Sequence, residues 1–351
     1  MVSLTIPRDL QTNFGRTGPR CPVIKVRADL DQAYWLLSAA NLAYGVNEDT
    51  GRTGLFGLQP PVLPDRATVI TLLNRLAFRP DSISAHQSPG RDGIDAYLYG
   101  ETKQAAILAF RGTLPLQANG RPRQILGDWL NNTRTALVDG PQFGIPGKIH
   151  AGYAESLANL WDSPGGLAGL LERMARACAR GLPLLVTGHS KGGALAVLAA
   201  LKLANLGAAE LMPASVVSFG APRAGNPSFA AAYEAALGGR TWRFEYRDDL
   251  VPHLPPSRTF WNTLSDKLLP GLQPDSVPPQ PRADDYVAVG QLHFIDWAGR
   301  LRTENNAGLR AERRIHLLRT LTLRPAILNH DHLPMSGYGY MDFLEARQWR
   351  G

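Results

Sequence analysis

The chain reads as an α/β protein, a mostly parallel central sheet with helices on both faces. Three observations predict this: short runs of apolar β-formers bounded by glycine, helical segments between those runs, and enough apolar material for one large core. Of 351 residues, 44% are hydrophobic and 19% charged, which excludes disorder and small disulfide-stapled scaffolds.

The elements follow in order. Residues 1–30 look like an irregular lead-in, and residues 31–351 like a single domain. From Asp29 onward, Ala33, Leu36, Leu37, Ala40 and Tyr44 share one helical face, with Asp29 or Asp31 near its start and Gly45 past its end. Strands are predicted over Ile94 to Tyr99, Ala105 to Phe110, Leu182 to Thr187, Ser215 to Phe219 and Thr241 to Tyr246. Helices over Leu167 to Ala179 and Gly192 to Leu206 separate the later ones. Two segments resist the pattern: Leu114 to Gly127, with two prolines and two glycines, and the proline-rich stretch 255–282. Long structureless loops in a compact domain are usually functional or mobile.

Lys plus Arg is 37 against 30 for Asp plus Glu, a net charge of +7. The arginines are scattered, as in Arg173, Arg176 and Arg180 or Arg310, Arg313 and Arg314, which fits solvated helix faces and not a nucleic-acid stripe. Attraction to anionic lipid or substrate stays compatible with the charge. The longest apolar run, Ala194 to Leu201, stops at Lys202, far short of the roughly 18 residues a bilayer span needs. Cys21 and Cys178 make no disulfide framework and read as two free thiols, and no Cys/His spacing matches a metal site. The N-terminus lacks a basic start followed by an apolar stretch, so no secretory peptide is expected in the chain as it stands. A cytoplasmic location, signal-less export and loss of a leader all fit.

The sharpest local signal is Leu182-Pro183-Leu184-Leu185-Val186-Thr187-Gly188-His189-Ser190-Lys191-Gly192-Gly193-Ala194. Gly-x-Ser-x-Gly alone is common in turns; a buried strand before it and a helix after it make it specific. The glycines are needed because a tight strand-to-helix bend holds Ser190 in strained geometry and leaves no room for a Cβ. That bend projects the hydroxyl outward. It also sets the Lys191 N–H at a helix N-terminus, beside the oxygen that turns negative when Ser190 attacks an acyl carbon.

A serine needs a base and an orienting carboxylate, here in the order Ser, acid, His. The acid candidate is Asp249, at the end of a strand and before Leu250-Val251-Pro252, with Asp248 as its alternative and as a turn cap otherwise. Among late histidines, His332 is preferred over His330 as the base, both lying in a loop before a C-terminal aromatic segment. His253 and His293 read as packing residues, and His189 as pointing into the fold. A second oxyanion donor is Thr113, after the apolar strand and Gly112, with both N–H and O–H to offer; each good donor is worth about 3 kcal/mol of barrier.

An ordered set of motifs resembles the fungal-type class 3 triacylglycerol lipases: Phe110-Arg111-Gly112-Thr113, Asp128-Trp129-Leu130, Ile149-His150-Ala151-Gly152-Tyr153, Thr187 to Gly193, Ser218 to Asn226, then Asp249 to Pro256 and a late His. The set covers about residues 30 to 340. The resemblance implies an α/β-hydrolase fold, a catalytic triad of Ser190, Asp249 and the late His, for which His332 is preferred over His330, and an oxyanion hole from Thr113 and Lys191. It implies no metal or organic cofactor. The partner would be a small-molecule or lipid ester, met at a lipid–water interface, with the oligomeric state left open. Three departures stand out: Lys191 replaces a usual leucine, the longer gap after Thr113 makes 114–127 a lid candidate, and 255–282 looks inserted. The expected activity is ester hydrolysis on acylglycerols; other esterase, phospholipase, polyester hydrolase or acyl-transfer chemistry on the same residues, and a silent membrane-binding scaffold, are the alternatives.

Overall fold

The strand-like runs of the sequence become a sheet because each carries apolar side chains on both of its faces. In the computed structural model, residues 30–49, 52–54, 66–88, 95–113, 136–255, 286–324 and 327–348 are described. The lead-in 1–29, the lid candidate 114–127 and residues 256–282 of the proline-rich stretch lie outside them.

The chain begins with α1 (Leu30–Ala43), the short hairpin of β1 (Asn47–Asp49) and β2 (Arg52–Gly54), and α2 (Arg66–Leu76). Then come β3 (Ser84–Gln87), β4 (Ala96–Glu101) and β5 (Ala106–Phe110), followed by the small pair β6 (Leu137–Asp139) and β7 (Lys148–His150). Helices α3 (Ala151–Asp162) and α4 (Leu167–Ala179) lead to β8 (Leu184–His189), α5 (Lys191–Asn205), β9 (Ser215–Phe219), α6 (Pro227–Leu237) and β10 (Thr241–Tyr246). After these come β11 (Gln291–Ile295), β12 (Leu301–Arg302), α7 (Ala307–Leu323), α8 (Ile327–His332) and α9 (Gly339–Gln348).

The main sheet has eight strands in the order β12-β11-β10-β9-β8-β5-β4-β3. The five central strands from β11 to β5 run parallel, and the antiparallel pairings lie toward the edges. Side-chain alternation explains why the central strands are buried throughout. On β5, Leu108 and Phe110 enter one apolar cluster with α3, α4, α5 and α6, while Ile107 and Ala109 enter a second with α1, α2 and α9. Each fully buried Leu or Phe contributes roughly 1.5–3 kcal/mol relative to leaving it in water. Two-sided burial is the α/β arrangement expected from the sequence, and it makes the C-terminal strand ends a rigid platform for a site.

The expected strand ends shift by one or two residues in places: β4 runs to Glu101, and β8 runs from Leu184 to His189. Strands β3, β11 and β12, and the β6–β7 pair, escaped the sequence reading because they are short and their alternation is weak. One expectation is corrected. His330 and His332 do not sit in a loop but at the end of the helix α8, packed against α7 and α9.

Candidate active site

Ser190 sits where β8 turns into α5, with φ 57° and ψ −134°, a backbone region that only glycine adopts freely. The turn is tight enough that a Cβ on Gly188 would lie 2.1 Å from the Gly192 carbonyl oxygen, and one on Gly192 would lie 2.3 Å from that of Phe110. The bend is pinned by Ser190 N–H donating to the Phe219 carbonyl at 2.9 Å and Gly193 N–H donating to the Ser190 carbonyl at 2.8 Å. Strand, bend and helix therefore fix the hydroxyl before any partner is considered.

His332 Nε2 lies 2.9 Å from Ser190 Oγ, and its Nδ1 lies 3.0 Å from both carboxylate oxygens of Asp249. Only Nδ1 faces an anion, so Nδ1 carries the proton and Nε2 accepts from the serine hydroxyl. All three groups are buried. Asp249 is held by two further donors: the Val251 N–H at 2.9 Å to Oδ1, and the Tyr340 hydroxyl at 2.6 Å to Oδ2. Burial, with the neighbouring Asp249 charge, pushes the Tyr340 phenol well above its usual value, so it remains a donor. Gly220, at φ 54°, makes room for this cluster, since a Cβ there would lie 2.6 Å from Asp249 Oδ2.

The competing residues go elsewhere. Asp248 accepts from Thr320 Oγ1 at 2.8 Å, and its N–H donates to Asp331 Oδ2. His330 is exposed, with Nδ1 beside Asp331 Oδ1 at 3.2 Å. His253 is partly buried beside Arg313, which with Arg243 surrounds Glu245; burial opposes ionisation of that carboxyl, but the two guanidiniums outweigh it and hold it down at about 2. His293 packs its ring, tilted by 36°, beside Phe244 at a centroid distance of 5.1 Å, as a packing residue does. His189 is buried as expected, yet its ring spans Tyr44 and the main chain of His332.

Lys191 is the first residue of α5, so its N–H belongs to the donors that a helix leaves without an internal acceptor. Its ammonium pairs with Asp95 at 2.7 Å. Thr113 is exposed and is the last described residue before 136; a Cβ on the preceding Gly112 would lie 2.9 Å from Ser190 Cβ, so that stretch abuts Ser190. His150 caps α3, its Nδ1 accepting from the N–H groups of Gly152 and Tyr153 at 3.1 and 3.4 Å. Burial, reinforced by the Lys191 ammonium, pushes its pKa down to about 4. Among the described residues no group of three or more His, Cys, Asp or Glu is placed to hold a metal ion, and no helix is long and apolar enough to cross a membrane. Cys178 is a free thiol; Cys21 lies outside the described residues.

Sequence reasoning missed Tyr340, Tyr44 and Gly220. Only Gly220 had a local signal, as the glycine ending the β9 segment Ser218-Phe219-Gly220; the two tyrosines reach the site from distant helices.

Residues 107–259 match the family described as Lipase (class 3). The secreted mono- and diacylglycerol lipase 3 of Gibberella zeae is 28% identical over 173 residues, 45% of this chain and 52% of that protein. Phospholipase A1-II 1 of Oryza sativa subsp. indica is 26% identical over 167 residues, 44% of this chain and 40% of that protein. The chain thus spans about half or less of these curated relatives. In three dimensions, Lip2 lipase from Yarrowia lipolytica superposes with a TM-score of 0.53 at 18% identity, over 81% of this chain and 89% of that one, which speaks for the α/β-hydrolase fold alone. Residues 107–259, which hold the elbow serine and the acid loop, are thus the part of the chain that is similar to the class 3 lipases.

Proposed function

We propose that the chain is a serine carboxylic ester hydrolase that releases fatty acids from acylglycerols. The observation that carries this is the continuous line from Ser190 Oγ through His332 to Asp249, set on a strained turn. In this reading His332 Nε2 takes the Ser190 proton as Oγ bonds to the acyl carbon, and the carbonyl oxygen becomes an oxyanion. The N–H groups of Lys191 and Thr113, with the Thr113 hydroxyl, receive that charge. The imidazolium, oriented by Asp249, then gives its proton to the leaving alkoxide as the C–O bond breaks. Water, deprotonated by His332, attacks the acyl-enzyme, and Ser190 Oγ leaves with the proton, releasing the carboxylic acid.

The substrate class draws its support from the match to the class 3 lipase family and from relatives named as mono- and diacylglycerol lipase and phospholipase A1. Residues 114–127 keep the role of lid candidate. Acyl transfer to an acceptor other than water would use the same residues.

A fluorophosphonate probe should label the protein and lose that label in Ser190→Ala. Turnover of p-nitrophenyl esters of rising chain length, beside emulsified triglyceride, should favour the longer chains. Activity confined to short soluble esters would remove the lipase reading and leave an esterase. A wild-type protein that the probe does not label would favour a silent scaffold.

A further inference from the structure

A backbone N–H at the start of α5 could be supplied by any residue, yet Lys191 there also spends its side chain on a contact. Its ammonium lies 2.7 Å from Asp95 Oδ1, and the two side chains are only 22% and 15% exposed. That oxygen is closed to solvent, and among the described residues no donor other than this ammonium is set against it. Ion pairs in open water contribute little, whereas a covered carboxylate depends on the partner it has.

The strand order shows what the pair spans. In the sheet β5 lies between β8 and β4. Lys191 comes two residues after β8, and Asp95 is the residue just before β4, which runs antiparallel to β5 and so begins where β5 ends. Tyr97 pairs with Phe110, and the Arg111 N–H donates to the Ala96 carbonyl at 3.0 Å, so the same register carried one step further sets Asp95 opposite Gly112. On the other side Phe110 pairs with Gly188, and a Cβ on Gly192 would lie 2.6 Å from the Arg111 carbonyl carbon. The ion pair therefore closes over the end of β5, at the point where Gly112 and Thr113 leave the sheet and the ladder of strand hydrogen bonds stops.

We infer that the Lys191–Asp95 ion pair is a strap that sets the spacing of the two oxyanion donors, the N–H of Lys191 on the helix start and the N–H of Thr113 on the strand exit. Asp95 is then a positioning residue, touching neither the substrate nor the reacting atoms. The inference rests on the ester hydrolase reading, in which both N–H groups face one oxygen. Two donors on separate elements stabilise a developing charge only while their separation is held, and a misplacement of about 1 Å is enough to lose most of the effect. The ladder holds the end of β5 as far as Arg111; beyond it, the strap takes over.

The test sets kcat and KM for p-nitrophenyl butyrate beside the affinity of an alkyl trifluoromethyl ketone. Ser190 Oγ adds to the carbonyl carbon of that ketone, His332 takes the proton, and the carbonyl oxygen becomes an oxyanion that stays bound. Lys191→Met and Asp95→Asn should each lower kcat by about 10- to 100-fold at unchanged KM and weaken the ketone by the same factor. The double variant should be no worse than the weaker single, because either change already opens the strap. Lys191→Arg keeps the pair and should stay within about five-fold of the wild-type kcat. Asp95→Asn removes a charge and no bulk, so it decides the matter even where Lys191→Met does not fold. A lower melting temperature with wild-type kcat and ketone affinity would make the pair a structural contact only and overturn the inference. So would a rise in KM with kcat intact, or losses that multiply in the double variant. Wild-type protein that hydrolyses no ester and takes no fluorophosphonate label would sink the hydrolase reading, and the strap with it; an active wild type with undiminished variants sinks the strap alone.

Discussion

His189 donates from Nε2 to the main-chain carbonyl of His332 at 2.6 Å, and Tyr44 donates its hydroxyl to Nδ1 of the same ring at 2.7 Å. The carbonyl can only accept, so the ring is neutral with its proton on Nε2. Burial pushes His189 well below its usual pKa, and the neighbouring His332 adds to this. His189, the residue before Ser190, thus ties the end of α1 to the backbone that presents the His332 ring. His189→Ala should lower kcat by up to about 100-fold with little change in KM, because a shift of about 1 Å in the base is enough for that loss. Tyr44→Phe removes one hydrogen bond and should cost about 1 kcal/mol of stability with kcat within a few-fold. A His189→Ala variant that raised KM and left kcat intact would contradict the assignment.

Tyr340 approaches the acid from α9, donating to Asp249 Oδ2 and accepting from the Tyr246 N–H at 3.1 Å. Tyr340→Phe should leave both groups short of a partner inside the core. The expected result is a fall in stability of about 1–3 kcal/mol and a several-fold fall in kcat at unchanged KM. Chemical denaturation and steady-state kinetics on a soluble ester measure the two effects separately. Wild-type kcat in a variant of wild-type stability would show that the hydroxyl is dispensable.

The elbow was legible in the sequence because its requirement is local. The two glycines must flank the serine wherever a strand bends straight into a helix, and no distant residue alters that. Asp249 and His332 were legible only as choices between neighbours. Asp248 and Asp249 are both buried at the end of β10, and what separates them is that Asp249 lies within reach of α8 while Asp248 turns to Thr320 on α7. His330 and His332 are two residues apart on a short helix, so they point to different sides, and the sequence alone does not say which side meets Ser190. Tyr44, 145 residues from His189, and Tyr340, 91 residues from Asp249, had no signal. Contacts of that range arise from how α1 and α9 pack on the sheet, and one-dimensional spacing does not encode them.

The φ of 57° and ψ of −134° at Ser190 hold a side-chain-bearing residue where glycine is at ease, at a cost on the order of 1–3 kcal/mol. Ser190→Ala keeps that strain because its Cβ remains, whereas Ser190→Gly releases it. Both variants should be inactive, yet Ser190→Gly should melt higher than Ser190→Ala by an amount corresponding to about 1 kcal/mol, even after the greater freedom of glycine in the unfolded chain is counted. Thermal unfolding of the two proteins side by side decides it; a lower melting temperature for Ser190→Gly would mean that the turn is not strained in solution.

The histidine that caps α3 makes the fold acid-sensitive. His150 titrates at 6.5 when free and at about 4 in the folded chain, because burial and the Lys191 ammonium disfavour its charged form. Between those values the unfolded chain binds a proton that the folded chain does not, so stability is complete above the free value and falls as pH drops toward the folded one. The full effect is on the order of 3 kcal/mol from this one ring. His189 and His253, both also pushed well below 6.5 by burial, act in the same direction. Asparagine is a good N-cap that cannot titrate, so His150→Asn should retain the cap of α3 while removing one proton from this linkage. The drop in melting temperature from about pH 7 to about pH 5 should therefore be smaller in His150→Asn than in the unaltered protein. An equal drop in the two proteins would mean that the acid sensitivity is carried by the other buried rings and that His150 takes up its proton without loss of structure.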